Sequence, residues 1–251
     1  MSHPFAEEKL WSHRVFVSFA RALAERGYPV LRFDYMGAGD SSGTTPETSL
    51  QTHLDDLRAA VEVLLARQPQ LERVGVVGLR LGATFAALFC EEVVARSEYE
   101  QLRTGPLVLW DPLMDGESYF QELLRSNLTT QLAVYGEVRE DREALRERIR
   151  AGGAVNVDGY ELGNALFESC ATRALLSTES KRHAGPVLVV QIATTDQSKD
   201  RTDLQALAQS YSRGTFLRSK EQTFWREIKP FYGRAHDLQK TTLAWMDKHR
   251  V

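Results

Sequence analysis

Cysteine is scarce: Cys90 and Cys170 are the only two in 251 residues. Two thiols exclude a disulfide framework and a cysteine-rich zinc site, and both read as reduced packing residues. An excess of charge is also missing, because 31 lysines and arginines face 34 acidic residues for a net charge of −3. That balance, with no dominant basic block, excludes an electrostatic case for nucleic acid as a partner. No apolar run approaches the roughly 18 residues that crossing a bilayer takes, so no membrane insertion is expected. The opening MSHPFAEEKLW lacks the basic, apolar and small-residue segments of a signal peptide, which makes the cytoplasm the expected compartment. Repeats, low-complexity tracts and a linker between independent domains are absent too, so one domain over 1–251 is expected.

What remains is an alternation of helix and strand patterns. Apolar residues recur at helical spacing over 9–26, with Gly27 as a stop, and again over 50–67. Short and almost wholly apolar runs at 28–35, 73–77, 106–110 and 186–192 read as strands. A last strand falls at 215–217 or near 224–228, and a terminal helix at 238–248. Such strands separated by helices predict an α/β fold: a mostly parallel sheet covered by helices on both faces. The stretch 118–182 breaks the rhythm. Its length, polarity and charged run GEVREDREALRERIRAGG predict a helical cap inserted over the carboxyl edge of the sheet.

The segment VVGLRLGATFAAL at 76–88 has the layout of a nucleophile elbow, G-x-S-x-G, in which a strained turn between strand and helix presents a serine. Here the serine is lacking and Arg80 stands in its place. An arginine cannot attack a carbonyl. Ser41 and Ser42, in the turn GAGDSSG, read as turn residues rather than substitutes for it.

Four further stretches join GLRLG at 78–82: HPFAEE at 3–8, ERGYPVLRFDYMGAGDSSG at 25–43, LVLWDP at 107–112, and VLVVQI before Asp196. Together they resemble the α/β-hydrolase fold. HPFAEE with GLRLG is similar to the bacterial hydrolase-like proteins, akin to serine aminopeptidases, that accompany exosortase A systems. The resemblance implies an acid at Asp111 or Asp196, a base at His236 before the last helix, and an oxyanion loop that His3 begins and shapes through its backbone. It implies no cofactor and no metal.

An arginine at an elbow sits where unpaired N–H groups and the helix dipole already favour an anion. Buried there, it requires a carboxylate, and Glu7, Glu8, Asp111 and Asp196 are the candidates. Three readings follow. Arg80 closes a structural ion pair; or it grips an anionic or acyl-bearing small-molecule ligand, with Glu7, Leu81 and His3 completing the binding set; or Glu8, Asp111 and His236 form a nonstandard hydrolytic centre for ester, amide or thioester bonds. A partner protein, or a second copy of the chain, is compatible with the first two.

In the resembled fold one strand lies between the run at 28–35 and the elbow strand, and it leads into the HPF loop. Only MSHPF is present to supply it. The N-terminal strands therefore read as truncated: either the true start lies upstream, which is the expectation, or another segment fills the gap, or the two flanking strands close up directly. Two rows of backbone groups would be left open, each buried unpaired group costing about 1 to 3 kcal/mol.

Overall fold

A computed structural model describes residues 1–96, 98–171, 174–195, 197–227 and 233–249. In chain order the elements are α1 (Glu7–Ala24), α2 (Leu50–Arg67), β1 (Val76–Leu79), α3 (Leu81–Ala95), α4 (Glu100–Arg103), β2 (Leu107–Trp110), α5 (Gly116–Tyr135), α6 (Arg142–Arg150), β3 (Val155–Val157), β4 (Tyr160–Leu162), α7 (Asn164–Ala171), β5 (Val187–Ala193), α8 (Thr202–Ser210), β6 (Gly214–Lys220) and α9 (His236–His249). They fall into two compact units.

The first unit comprises Met1–Phe33, Leu57–Met114 and Leu176–Val251. Its sheet has the order β1-β2-β5-β6, all parallel, with Val76 opposite Leu107, Leu107 opposite Val187, and Val187 opposite Gly214. Strands β1, β2 and β5 are buried at every position, as a parallel sheet covered on both faces demands. The core gathers Val15, Phe16 and Phe19 from α1, Leu79, Val108, Trp110 and Val190 from the strands, and Leu238 and Trp245 from α9. Trp110 sits edge-on to Phe16 and Phe19, and its indole N–H donates to Thr242 Oγ1 at 3.0 Å. That bond satisfies the one polar group a buried tryptophan brings into a core.

Strand β6 spans the expected 215–217, so the alternative near 224–228 is not the last strand: Phe224 and Trp225 form a buried turn, and Ile228 lies outside the described residues. The strand expected at 28–35 is absent. Those residues carry no strand assignment, and at their centre Leu31 C=O accepts a bond from the Met1 amine at 2.7 Å. Ser2 makes the other half of the same stub, an isolated parallel bridge to Gly78 in which its N–H donates to Val77 C=O at 2.8 Å. An apolar run becomes a strand only when a neighbour offers a full ladder, and a two-residue stub does not.

The second unit comprises Asp34–Asp56 and Asp115–Leu175. The insertion expected at 118–182 overlaps it, but the turn after residue 33 and the start of α2 belong to it as well. Asp115 and Asp141 cap α5 and α6 by accepting bonds from the first-turn N–H groups, and Gly136 closes α5 in the left-handed region. Phe120 meets Phe167 edge to face at 5.8 Å, and Ser169 Oγ accepts from Leu50 N–H at 3.0 Å. The stretch is not all helix. β3 and β4 form a hairpin whose two-residue loop, Asp158 and Gly159, has φ of 51° and 90°, the mirror-image turn that fits the strand twist.

Candidate functional site

The site lies in the first unit, where three junctions meet. Arg80 joins β1 to α3 with φ 53° and ψ −124°, Asp111 follows β2 with φ 45°, and Ala6 precedes α1 with φ 51°. Positive φ in non-glycine residues costs of order 1 to 3 kcal/mol each, and it persists where the surroundings over-determine it. Here the surroundings can be named. Arg80 N–H donates to Trp110 C=O at 2.9 Å, Asp111 N–H donates to Val190 C=O at 2.8 Å, and the carbonyl of Arg80 receives Thr84 N–H at 3.1 Å.

The flanking glycines explain why the elbow is built this way. A Cβ on Gly78 would sit 2.6 Å from Ala83 N, and one on Gly82 would sit 2.6 Å from Ser2 C=O. Both positions therefore need glycine for close backbone approach rather than for flexibility.

The Arg80 side chain is held from two sides. Its Nε donates to Glu8 Oε1 at 3.2 Å and its NH1 to Asp111 Oδ2 at 3.3 Å, while the guanidinium lies 5.3 Å from the Trp225 ring centroid. Asp111 faces a second guanidinium, Arg201 NH1 at 3.5 Å, and Arg201 NH2 in turn donates to Asp203 Oδ2 at 2.6 Å. Three carboxylates and two guanidiniums thus alternate along a chain that runs from core to surface. Side-chain exposure is 8% at Asp111, 9% at Arg80 and 12% at Glu8, but 37% at Arg201 and 42% at Asp203. The inner three have little water to compensate them, so they depend on each other. Burial pushes the Asp111 carboxyl above its ordinary range, while Arg80, Arg201 and the Ile192 N–H pull the other way.

Of the residues singled out in the sequence, Glu8 and Asp111 are both brought to Arg80. Leu81 is fully buried as the first residue of α3. His3 is half-buried, its Nδ1 within 2.7 Å of Pro4 C=O, and its own carbonyl packs against Gly82. Glu7 is half-buried beside Glu8 in the first turn of α1. Asp196 lies outside the described residues.

His236 is exposed at the first position of α9, near the Glu221 carboxylate. The Glu221 carboxylate caps α9 by accepting from Asp237 N–H at 2.6 Å and Leu238 N–H at 3.2 Å. Trp225, in the turn after β6, reaches Arg80 from this end of the chain. Trp225 and Arg201 have no motif to announce them. The adjacent FW pair after a strand and the RTD at the start of α8 are the signals that could have pointed to them. Among the described residues, no group of three or more His, Cys, Asp or Glu side chains is placed to hold a metal ion. No described helix is long and apolar enough to cross a membrane.

The sequence profile of a family described as Hydrolase_4, serine aminopeptidase, S33, matches residues 10–151. Comparison with curated proteins finds no match. Among solved structures the chain is similar to Est1E from Butyrivibrio proteoclasticus, solved with ferulic acid bound, at 15% identity and a TM-score of 0.61, covering 94% of this chain and 83% of that one. A Paleococcus ferrophilus monoacylglycerol lipase gives 17% identity and a TM-score of 0.58 over 99% of this chain and 93% of its own. A thermophilic esterase from Thermogutta terrifontis gives 16% and 0.57 over 99% and 89%. At these identities the likeness shows the fold alone, and the fold is that of the α/β-hydrolases.

Proposed function

The chain belongs to the serine aminopeptidase S33 family, and from that premise we propose that it is a non-hydrolytic member which works by binding. The observation that carries this reading is the residue at the apex of the elbow. Where acyl transfer needs a nucleophile, Arg80 presents a guanidinium already held by Glu8 and Asp111. No side chain at that apex can form an acyl-enzyme. The elbow keeps its strain and its glycines, and it uses them to seat a cation.

The ligand this arrangement suits is an anionic, acyl-bearing small molecule whose carboxylate exchanges with Glu8 at Arg80. Arginine favours such exchange because its planar fork accepts one carboxylate as readily as another. Glu8 is the more accessible of the two internal carboxylates, so it is the one to yield.

Two measurements test the reading. A serine-directed fluorophosphonate is expected to leave the protein unlabelled; labelling abolished by changing one particular serine contradicts it. In calorimetric titration, decanoate is expected to bind Glu8→Gln more tightly than wild type, because the internal competitor has lost its charge. Equal heats in both proteins sink the exchange at Arg80.

The hydrolytic alternative would place Glu8, Asp111 and His236 around a water. The exposure of His236 at the start of α9 favours the binding reading over it. Turnover of p-nitrophenyl esters that disappears in Glu8→Gln, Asp111→Asn or His236→Ala would reverse that preference. Within the family, the resemblance carried by HPFAEE and GLRLG supports a role beside bacterial exosortase systems, exercised in the cytoplasm. Exosortase genes beside its own in the genome are the expected finding; a neighbourhood without any, or recovery of the protein from the membrane fraction, contradicts the placement.

A further inference from the structure

The outer face of α1 carries a groove that shares no residue with the Arg80 cluster. It has a volume of about 690 Å³ and runs between that face and the residues that lead into α9. Its charged lining is Arg14, Arg21 and Glu25 from α1 and its C-terminal end, and Arg234 from the segment entering α9. All four are exposed, while Val15, Phe16 and Phe19 on the other face of the same helix are buried in the core. Positions 14, 18, 21 and 25 follow the helical period, so they form one stripe along the groove.

Three guanidiniums against one carboxylate leave an excess of two positive charges in the groove, on a chain whose net charge is −3. Arg21 and Arg234 enter no ion pair among the described residues. The last-turn position of Arg21 suits the negative end of the α1 dipole, but that end does nothing for Arg14 in the middle of the helix or for Arg234 on another segment. At the centre of the stripe Ser18 Oγ accepts from Gln239 Nε2 at 2.8 Å, which ties α1 to α9 and leaves the hydroxyl's own proton to donate. Arg14 and Arg21 stand four and three residues from Ser18, the spacings at which side chains on a helix meet. One hydroxyl donor and two guanidiniums therefore converge above Ser18, with the third guanidinium lining the same groove.

We propose that this groove binds a phosphate monoester. Such a group carries about −1.5 to −2 charge at neutral pH and presents three strong acceptor oxygens, which suits an excess of two positive charges and several fork-shaped donors. A carboxylate brings one charge and two oxygens, and leaves part of that excess uncompensated. The groove is far larger than a phosphate, and Val17 and Ala22 give the rest of the ligand an apolar floor. A soluble sugar or glycerol phosphate and the headgroup of phosphatidic acid share this chemistry.

The test titrates glycerol 3-phosphate into the whole protein by calorimetry at about 0.15 M salt, where screening over about 8 Å removes diffuse attraction and leaves close contacts. Saturable binding is expected, weakened at least about tenfold by Arg21→Glu and by Arg234→Glu. Both side chains are exposed, so each variant should keep the wild-type Tm. Arg96→Glu, an equal change of charge at the exposed end of α3 and outside the groove, should bind like wild type. The second arm is sedimentation with phosphatidylcholine vesicles that contain phosphatidic acid. Sedimentation lost in the same two variants, without binding of the soluble ester, supports the site and assigns its phosphate to a lipid headgroup. Binding unchanged by both groove variants, equal weakening in Arg96→Glu, or no saturable binding in either arm overturns the proposal. Binding of hexaglutamate and of neither phosphate also overturns it, and would make the groove a dock for an acidic protein segment.

Discussion

Replacing Arg80 by methionine removes a charge from the core while keeping most of the volume. Two carboxylates lose their guanidinium at once. Asp111 is the costlier loss, since its side chain is 8% exposed and the other guanidinium it faces, Arg201, stands 3.5 Å away at 37% exposure. Removing one member of a buried pair costs about 3 to 5 kcal/mol. With Arg201 still present and Glu8 nearer to water, the lower end applies, about 3 kcal/mol at neutral pH. The deficit has a chemical signature. Arg80 is what chiefly opposes the burial of Asp111, so without it the Asp111 carboxyl rises further, and protonation relieves the buried charge. The penalty should therefore shrink as pH falls, and Arg80→Met with Asp111→Asn should recover about 2 kcal/mol of it. Urea unfolding followed by tryptophan fluorescence, repeated at two pH values, reads all of this. A loss below about 1 kcal/mol, unchanged by acid and by Asp111→Asn, refutes the claim that the two groups depend on each other.

The backbone at the elbow gives a separate expectation: with φ at 53°, Arg80→Gly should be more stable than Arg80→Ala by about 1 kcal/mol, and the reverse order in denaturant melts would remove the strain argument. Gly82→Ala should lose at least about 3 kcal/mol or fail to fold, because the added methyl meets the carbonyls of Ser2 and His3, which are backbone and cannot swing aside; a soluble variant of near-native Tm contradicts it. His183 is buried with Nε2 donating to Gly105 C=O and no partner for Nδ1 among the described residues, so burial holds its pKa below 6.5. A folded value below the unfolded one means stability that is present above pH 6.5 and lost as pH falls. His183→Gln should flatten the acid limb of a Tm against pH curve, and an unchanged slope would show that another group sets it.

Much of the first unit was legible because its signals are local. Strand runs at 106–110 and 186–192 are continuous and apolar, as buried parallel strands must be, and the glycines of GLRLG announce a turn whatever stands between them. The run at 28–35 shows the limit of that logic: its pattern suits a strand, but a strand is a relation to a neighbour, and what its centre meets is the Met1 amine, while Ser2 bonds to β1. Glu8 and Asp111 could be named because an arginine at a helix start demands an anion. Trp225 and Arg201 could not, since each reaches the cluster through tertiary packing with no periodic or motif signal. His236 was placed by the order of a motif in the chain, and order does not determine which way a side chain faces. The hairpin at NVDGY was readable in its Asp-Gly turn, yet the charged helices around it dominated the pattern.

The most direct test of the account is whether the elbow performs acyl transfer. The purified protein is to be treated with a fluorophosphonate probe and assayed in parallel against p-nitrophenyl butyrate. The account predicts no labelling and no turnover above the rate of the Arg80→Met protein. Covalent labelling of a single serine, lost together with turnover when that serine is replaced, would contradict it.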